Sequence, residues 1–421
     1  MGLERVFEAS WTLRDLRRPP LGSLLDDFCD WLLDCGFAWY TVRVHLGRIL
    51  HLNRWLSERG WSSTGKLSRK ELEGFVAVYP ERCRCRGVRE DHLQRMGHSL
   101  NRFVEFLRDR DLYDPLLEAP VYQPLLGEYL RWMREHQHTA EGTLALRRRG
   151  VTLFLASLGG DASAEGLAKL DAQRVEGFFI DYAEGRARAS RRSMQSALRT
   201  FLRFCFYKGY IQRGLDHAVP TLRTYKLARV PRGLTEAQAH AVLESVDRTT
   251  DVGRRDYAIL ILLYTYGVRG GQVRALRLED IHWSRDQIFF RATKGGKDSL
   301  LPLTADVGQS LLAYLRDGRP QNAFREVFLT CRAPYRPLQE SNSLSEIIRR
   351  HIRGLGLEMP SKGAHVFRHG FATRMVADGH PLKAVADVLG HRYLSTTFIY
   401  TKVDFNALSQ VALEWPEEVT S

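Results

Sequence analysis

A chain of 421 residues is too long for one ordinary domain, and at about 100–200 residues per domain it should hold two to four. Hydrophobic residues make up 44%, with 20 Phe, 16 Tyr and 8 Trp, which excludes a low-complexity disordered chain. Lys and Arg outnumber Asp and Glu by 62 to 49, a formal charge of +13 that favours an anionic partner, either nucleic acid or a membrane surface.

The most apolar run, Ala258 to Leu263, is far shorter than the roughly 20 residues a spanning helix needs. Met1 to Leu21 carries charges throughout, unlike a signal peptide, so the expectation is a cytoplasmic, nucleoid-associated protein acting on nucleic acid. Cys29, Cys35, Cys83, Cys85, Cys205 and Cys331 are scattered, and a large cytosolic chain keeps them reduced. Cys83-Arg84-Cys85, followed by His92 and His98, lacks the two-residue gap usual in structural zinc sites, so no metal is expected there.

Residues 1–20 show no clear period and are expected to form an extended arm. A helical pattern then fills 21–115 and recurs in 120–216. Leu24-Leu25-Asp26-Asp27-Phe28 with Trp31-Leu32 matches Leu125-Leu126-Gly127-Glu128-Tyr129 with Trp132-Met133. Glu73-Gly74-Phe75 and Tyr79 match Glu176-Gly177-Phe178 and Tyr182 at an offset of 103, and Leu100, Phe103 and Phe106 match Leu198, Phe201 and Phe204. Three matches in one order argue for an internal duplication, and their three- and four-residue spacing marks the buried stripe of packed helices.

The charges in the second copy point outward to a partner. Arg147, Arg148 and Arg149 fall on its second helix, and Arg191 and Arg192 begin its last. A basic run is often only a solvated face, but several such turns in one small domain suit DNA phosphates, whose neutralisation releases counterions. Residues 217–233 have two prolines and no helical stripe, which reads as a basic linker whose Lys226 and Arg229 lie along DNA.

Thr235 and Gln238 predict a capped helix start, and with it a further domain over 234–403. Asp256 to Tyr266 reads as a buried helix. Ile281 to Thr293 and Ser299 to Leu303 read as two or three short strands, with turns at Ser284-Arg285-Asp286 and Gly295-Gly296. The predicted fold is therefore mainly α, with a small antiparallel β-sheet in the C-terminal domain.

Metal-free cleavage of a phosphodiester needs a nucleophile, cations for the non-bridging oxygens and a proton donor for the departing oxygen. Tyr400, Arg269 with Arg368, and Lys294 could fill those roles, with His365 and His391 as proton carriers or hydrogen-bond donors. Singly these residues are uninformative, since a lone Tyr is usually core and a lone Lys usually solvated. Their joint order is informative: Arg, Lys, His-x-x-Arg, His and Tyr, the last four within 36 residues, resembles the tyrosine recombinases, or phage integrase family.

Whole segments carry the resemblance. Tyr266-Gly267-Val268-Arg269 is similar to the family's box around its first arginine, and Thr293 to Asp298 followed by Leu301-Pro302-Leu303 resembles its lysine hairpin. His365 to Thr373 and Leu389-Gly390-His391 resemble the second box, and Thr396 to Tyr400 the nucleophile segment. The likeness implies that 234–403 is a tyrosine-recombinase catalytic domain and 120–216 a core-binding-type DNA-binding domain. It implies that Tyr400 attacks a DNA strand to form a 3′-phosphotyrosine, with Arg269, Arg368 and His391 holding the phosphate. Lys294 would then be the acid and His365 an acid/base helper, with Lys297 a DNA contact. No cofactor is implied, neither ATP nor metal, because the covalent link stores the bond energy.

One position departs from the family pattern. Where a carboxylate usually stands three residues after the first arginine, this chain has Gln272, which can hydrogen-bond but cannot balance charge. After Tyr400, residues 404–421 carry an apolar stripe of Phe405, Leu408, Val411, Ala412 and Trp415 that Pro416 ends. In a monomer this stripe could fold back as core; in the family such a helix often docks on the neighbouring protomer, the preferred reading, which implies a homotetramer on double-stranded DNA recombination sites. Two other readings share these residues: a tyrosine-type topoisomerase or resolvase-like enzyme that reseals strands, and a non-catalytic DNA-binding accessory of a related recombinase. Integration and transposition of a mobile element are the expected context.

Overall fold

A computed structural model of the chain describes residues 2–62, 65–82, 89–115, 120–222, 233–293, 297–338, 341–359, 363–391 and 393–403. Its contacts divide the chain into two compact units, one of Met1–Ser63, His92–Phe106 and Leu227–Ser421, the other of Thr64–Asp91 and Leu107–Lys226. No helix among the described residues is long and apolar enough to cross a membrane.

The first helices are α1 (Ser10–Leu16), α2 (Gly22–Asp34) and α3 (Trp39–Glu58), then α4 (Arg69–Arg82) and α5 (Arg89–Asp109). Residues 3–16 are not an extended arm. A 3-10 turn at Leu3–Arg5 precedes α1, with Leu3 and Leu16 buried. Polar ties fix the segment: Leu3 N–H donates to Asp26 at 3.3 Å, and Arg17 pairs with both Asp26 and Glu4. Their acids lie on α2 or in the turn itself, so no local period announces the docking. β1 (Leu67–Ser68) and β2 (Tyr113–Asp114) form a two-residue parallel pair.

The same succession follows in α6 (Gln123–Gln137), α7 (Glu141–Leu158), a short α8 (Ala164–Leu167), α9 (Ala172–Ala183) and α10 (Arg188–Tyr207). The matched aromatics make matched clusters. Phe28 lies 5.1 Å from Phe103 and 5.2 Å from Phe106, while Tyr129 lies 5.2 Å from Phe201 and 5.4 Å from Phe204. Trp31 meets Phe106 at 6.0 Å, and Trp132 meets Phe204 at 5.4 Å. The ring contacts thus recur at the matched positions of the two helical regions.

The C-terminal domain begins with α11 (Glu236–Glu244), whose capping box has the predicted partners: Gln238 N–H donates to Thr235 Oγ1 at 3.2 Å and Thr235 N–H to Gln238 Oε1 at 3.0 Å. α12 (Asp251–Tyr266) is the axis of its core, with every residue from Ala258 to Leu263 buried. Asp256, fully buried in its second turn, is held by Arg255 at 2.8 Å, by Arg350 and by His351 at 3.3 Å. Loss of one partner from such a buried charge cluster costs about 3–5 kcal/mol.

After α13 (Gly270–Ala275) come β3 (Ile281–His282), β4 (Gln287–Phe290) and β5 (Ser299–Pro302), an antiparallel sheet in that order. Ile281 pairs with Ile288 and Ile288 with Leu301, and Asp286 makes the first turn with φ +48°. The expected Gly295-Gly296 turn lies outside the described residues. α14 (Ala305–Asp317), α15 (Ser341–Gly354), α16 (His365–Ala377) and α17 (Leu382–Val388) complete the domain, followed by 3-10 turns at Leu394–Thr396 and Phe398–Val403. Within this unit Tyr335 N–H donates to the Cys35 carbonyl at 3.0 Å and Arg336 pairs with Glu105 at 3.2 Å, so part of the first helical copy packs on the C-terminal domain.

Candidate active site

Three chain ends meet around Tyr400. The first is the end of α12, which Gly267 closes in the left-handed conformation at φ +57°, its N–H capping the Leu263 carbonyl. A β-carbon there would come within 2.6 Å of the Phe371 ring, so glycine is required by both φ and space. Two residues on, Arg269 caps α13 in extended conformation and its guanidinium reaches the Gly390 carbonyl at 3.4 and 3.5 Å.

Gln272 holds this arginine without a charge. Its Oε1 accepts the Arg269 backbone N–H at 3.0 Å, and its Nε2 donates to the Arg291 carbonyl at 3.3 Å, just past β4. A carboxylate could make the first bond but not the second. Gln272 is buried, so these two bonds tie the α13 cap to the strand that leads into the lysine hairpin.

The second end is the start of α16. Arg368 is 4% exposed and donates to the Gly267 carbonyl at 2.9 Å and to the Leu389 carbonyl at 2.7 Å. Burial first, and the charge of Arg269 second, push its pKa down to about 10, while Tyr400 acts in the opposite direction. His365 opens the same helix, and one turn later His369 lies 6.2 Å from it, ring to ring.

The third end is the turn after α17. Gly390 takes φ +62° and sends His391 into the interior, where Nδ1 meets Thr397 Oγ1 at 2.7 Å. Burial, then Arg368 and Arg269, lower the His391 pKa to about 4, so this ring is neutral at neutral pH. Thr397 is fully buried and its carbonyl accepts the Tyr400 N–H at 3.0 Å. Tyr400 is 2% exposed, and its hydroxyl meets His369 Nδ1 at 2.9 Å. Burial raises the Tyr400 pKa, and Arg368 and Arg269 oppose that rise.

Arg269, His365, Arg368, His391 and Tyr400 thus gather on adjoining ends of α12, α16 and α17 and the last 3-10 turn. Lys294 lies outside the described residues, while exposed Lys297 follows it at the base of β5. Two members escaped sequence reasoning. His369 was seen only as part of a box, although its four-residue spacing from His365 puts both on one helical face. Thr397 carried no signal, because a buried hydroxyl is recognised only by its partner.

The basic residues of the second copy differ among themselves. Arg148 and Arg149 are exposed, whereas Arg147 is half-buried and donates to Ser196 Oγ at 2.6 Å, joining α7 to α10. Arg191 donates to the Arg186 carbonyl at 2.8 Å, and Arg192 is exposed. Lys226, Arg229, the Cys83/Cys85 pair and the 404–421 tail lie outside the described residues.

The phage integrase family profile matches residues 232–407. A Sinorhizobium fredii protein named as an integrase/recombinase, y4rA, is 32% identical over 414 residues, covering 96% of this chain and 97% of its own. Tyrosine recombinase XerD of Ralstonia nicotianae is 33% identical over 271 residues, 63% of this chain and 84% of its own. In fold, the chain is similar to a lambda integrase fragment solved as a dimer bound to a COC′ core site, with TM-score 0.52 and 16% identity over 71% of this chain and 99% of that one. The likeness in structure shows a shared, mainly helical fold, and the likeness in sequence shows the family. The chain belongs to the phage integrase family, the tyrosine recombinases.

Proposed function

We propose that this protein is a site-specific DNA recombinase of a mobile element, which cuts and rejoins strands through a covalent 3′-phosphotyrosine at Tyr400. The observation that carries the reading is the Tyr400 hydroxyl, buried and held at 2.9 Å by a histidine beside Arg368. A core tyrosine has no need of two cations whose charges reach it, buried Arg368 and half-buried Arg269, and a nucleophile does.

The Tyr400 oxygen attacks the scissile phosphorus and the bond to the 5′ oxygen breaks. Arg269 and Arg368 offer forked N–H donors to the two non-bridging oxygens, and neutral His391 donates a third hydrogen bond. Lys294 protonates the departing 5′ oxygen, and His365 assists proton movement at the phosphate. The freed 5′ hydroxyl then attacks the phosphotyrosine of a partner duplex, restoring Tyr400. Arg148, Arg149 and Arg192 hold the DNA backbone, joined by Lys226, Arg229 and Lys297, and four protomers assemble on paired sites through the 404–421 tail. The mobile-element context draws on the integrase/recombinase name of the full-length relative.

The test is a nicked suicide duplex carrying the cognate site, recovered by covalent capture from nicked genomic fragments. The wild type should form an adduct resistant to denaturant and Tyr400→Phe none. An adduct-free wild type overturns the proposal.

A further inference from the structure

The catalytic roles above leave one contact at the nucleophile unused. His369 Nδ1 sits 2.9 Å from the Tyr400 hydroxyl, the only bond the structure records from that oxygen among the described residues. His369 lies on α16 between Arg368 and Gly370, so its backbone is fixed by the helix that carries both other groups of the box. The rings stand 5.7 Å apart and tilted by 55°, a geometry of hydrogen bonding rather than stacking. His365, one turn back on the same face, has no recorded bond to the tyrosine oxygen, although other contacts hold it.

Resting on the proposed function, we infer that His369 is a further catalytic residue, the base that takes the Tyr400 proton during strand cleavage. In cleavage the Tyr400 O–H bond breaks as the oxygen attacks phosphorus, and the proton passes to the His369 Nδ1 lone pair, giving an imidazolium. The 5′ oxygen leaves with the electron pair of its P–O bond and takes a proton from the acid. Rejoining runs in reverse: the 5′ hydroxyl gives its proton back to that acid, and His369 returns its own to the departing tyrosine oxygen.

The surroundings suit a proton acceptor. Burial first, then His365 and Arg368, lower the His369 pKa, which keeps the ring neutral at neutral pH when the site is empty, and in the tautomer with its proton on Nε2 the Nδ1 lone pair accepts from the tyrosine hydroxyl. His391 and Arg269 are the other charged or titratable groups facing the pair. Once the phosphate is bound, its negative charge favours the imidazolium that the step creates.

Asparagine separates a base from a mere prop, because its side-chain oxygen can take the place of Nδ1 and accept the same hydrogen bond without accepting a proton. On the captured nicked duplex, His369→Asn should bind with unchanged affinity yet form adduct about 100-fold more slowly than wild type. A fluorotyrosine at position 400, whose hydroxyl is more acidic, should narrow that gap to under about tenfold. A His369→Asn variant within twofold of wild type, or a defect of equal size with either tyrosine, overturns the inference while leaving the proposed function standing. Should His369→Asn fail to fold, Tyr400→Phe provides the second reading: loss of the hydroxyl should move the 15N resonance of His369 Nδ1, and an unmoved resonance overturns the contact itself. A wild type without adduct overturns the function and this inference together.

Discussion

Arginine is set in opposite surroundings in the two units of this chain. Arg368 in the C-terminal domain is buried, pinned to two backbone carbonyls and depressed in pKa, whereas Arg148 and Arg149 on α7 are exposed. A buried arginine has fixed geometry and little water to compete with, which suits charge that develops only in a transition state. An exposed arginine keeps its mobility and its counterions, which suits affinity tuned by salt. The contrast says where rate and where binding should break.

Breaking the buried side should show the largest effect. Arg368→Ala should slow adduct formation by roughly 10²–10³ in a single-turnover assay, and it should also strip the Gly267 and Leu389 carbonyls of their donor at about 1–3 kcal/mol, read by chemical denaturation. Next comes pH. His391 and His45 both have folded pKa values near 4, below the unfolded value, and His45 is likewise buried, with Nδ1 at 2.9 Å from Ser99 Oγ. Each favours the folded state fully above about pH 6.5 and loses that advantage as pH falls toward 4, on the order of 3 kcal/mol apiece. Stability measured across that window should therefore decline, and less steeply in His391→Gln.

Gln272→Met tests the uncharged support. Removing its bonds to Arg269 N–H and the Arg291 carbonyl leaves two partly buried polar groups without their partner, and unfolding free energy should drop by about 1 kcal/mol. The smallest effect on the fold belongs to the exposed side. Arg148→Ala with Arg149→Ala should leave stability within about 0.5 kcal/mol but flatten the salt dependence of DNA binding by about 0.9 in log–log slope per lost phosphate contact. Equal salt slopes for this double variant and wild type would show that α7 faces away from DNA.

What could be read from the sequence was local or periodic. The Thr235–Gln238 box, the all-apolar α12, the three strands and the repeated aromatic stripe each announce themselves within about twenty residues. The catalytic boxes were legible as letters because their order is distinctive. Contacts between distant segments were not legible: Arg368 finds its acceptors at Gly267 and Leu389, and Gln272 reaches Arg291, through tertiary approach alone. Residues 3–16 misled for the same reason, since their helices rest on α2 and α3 rather than on their own pattern. His369 shows the intermediate case, its face predictable from helical spacing and its partner, Tyr400, 31 residues further on, not.

The account turns on the chemistry of one oxygen. Digestion of the denatured protein–DNA adduct, followed by mass spectrometry, should find a nucleotide 3′-phosphate joined to the peptide containing Tyr400 and to no other residue. A nucleotide on a different side chain, or a 5′-phosphate linkage at Tyr400, would contradict it.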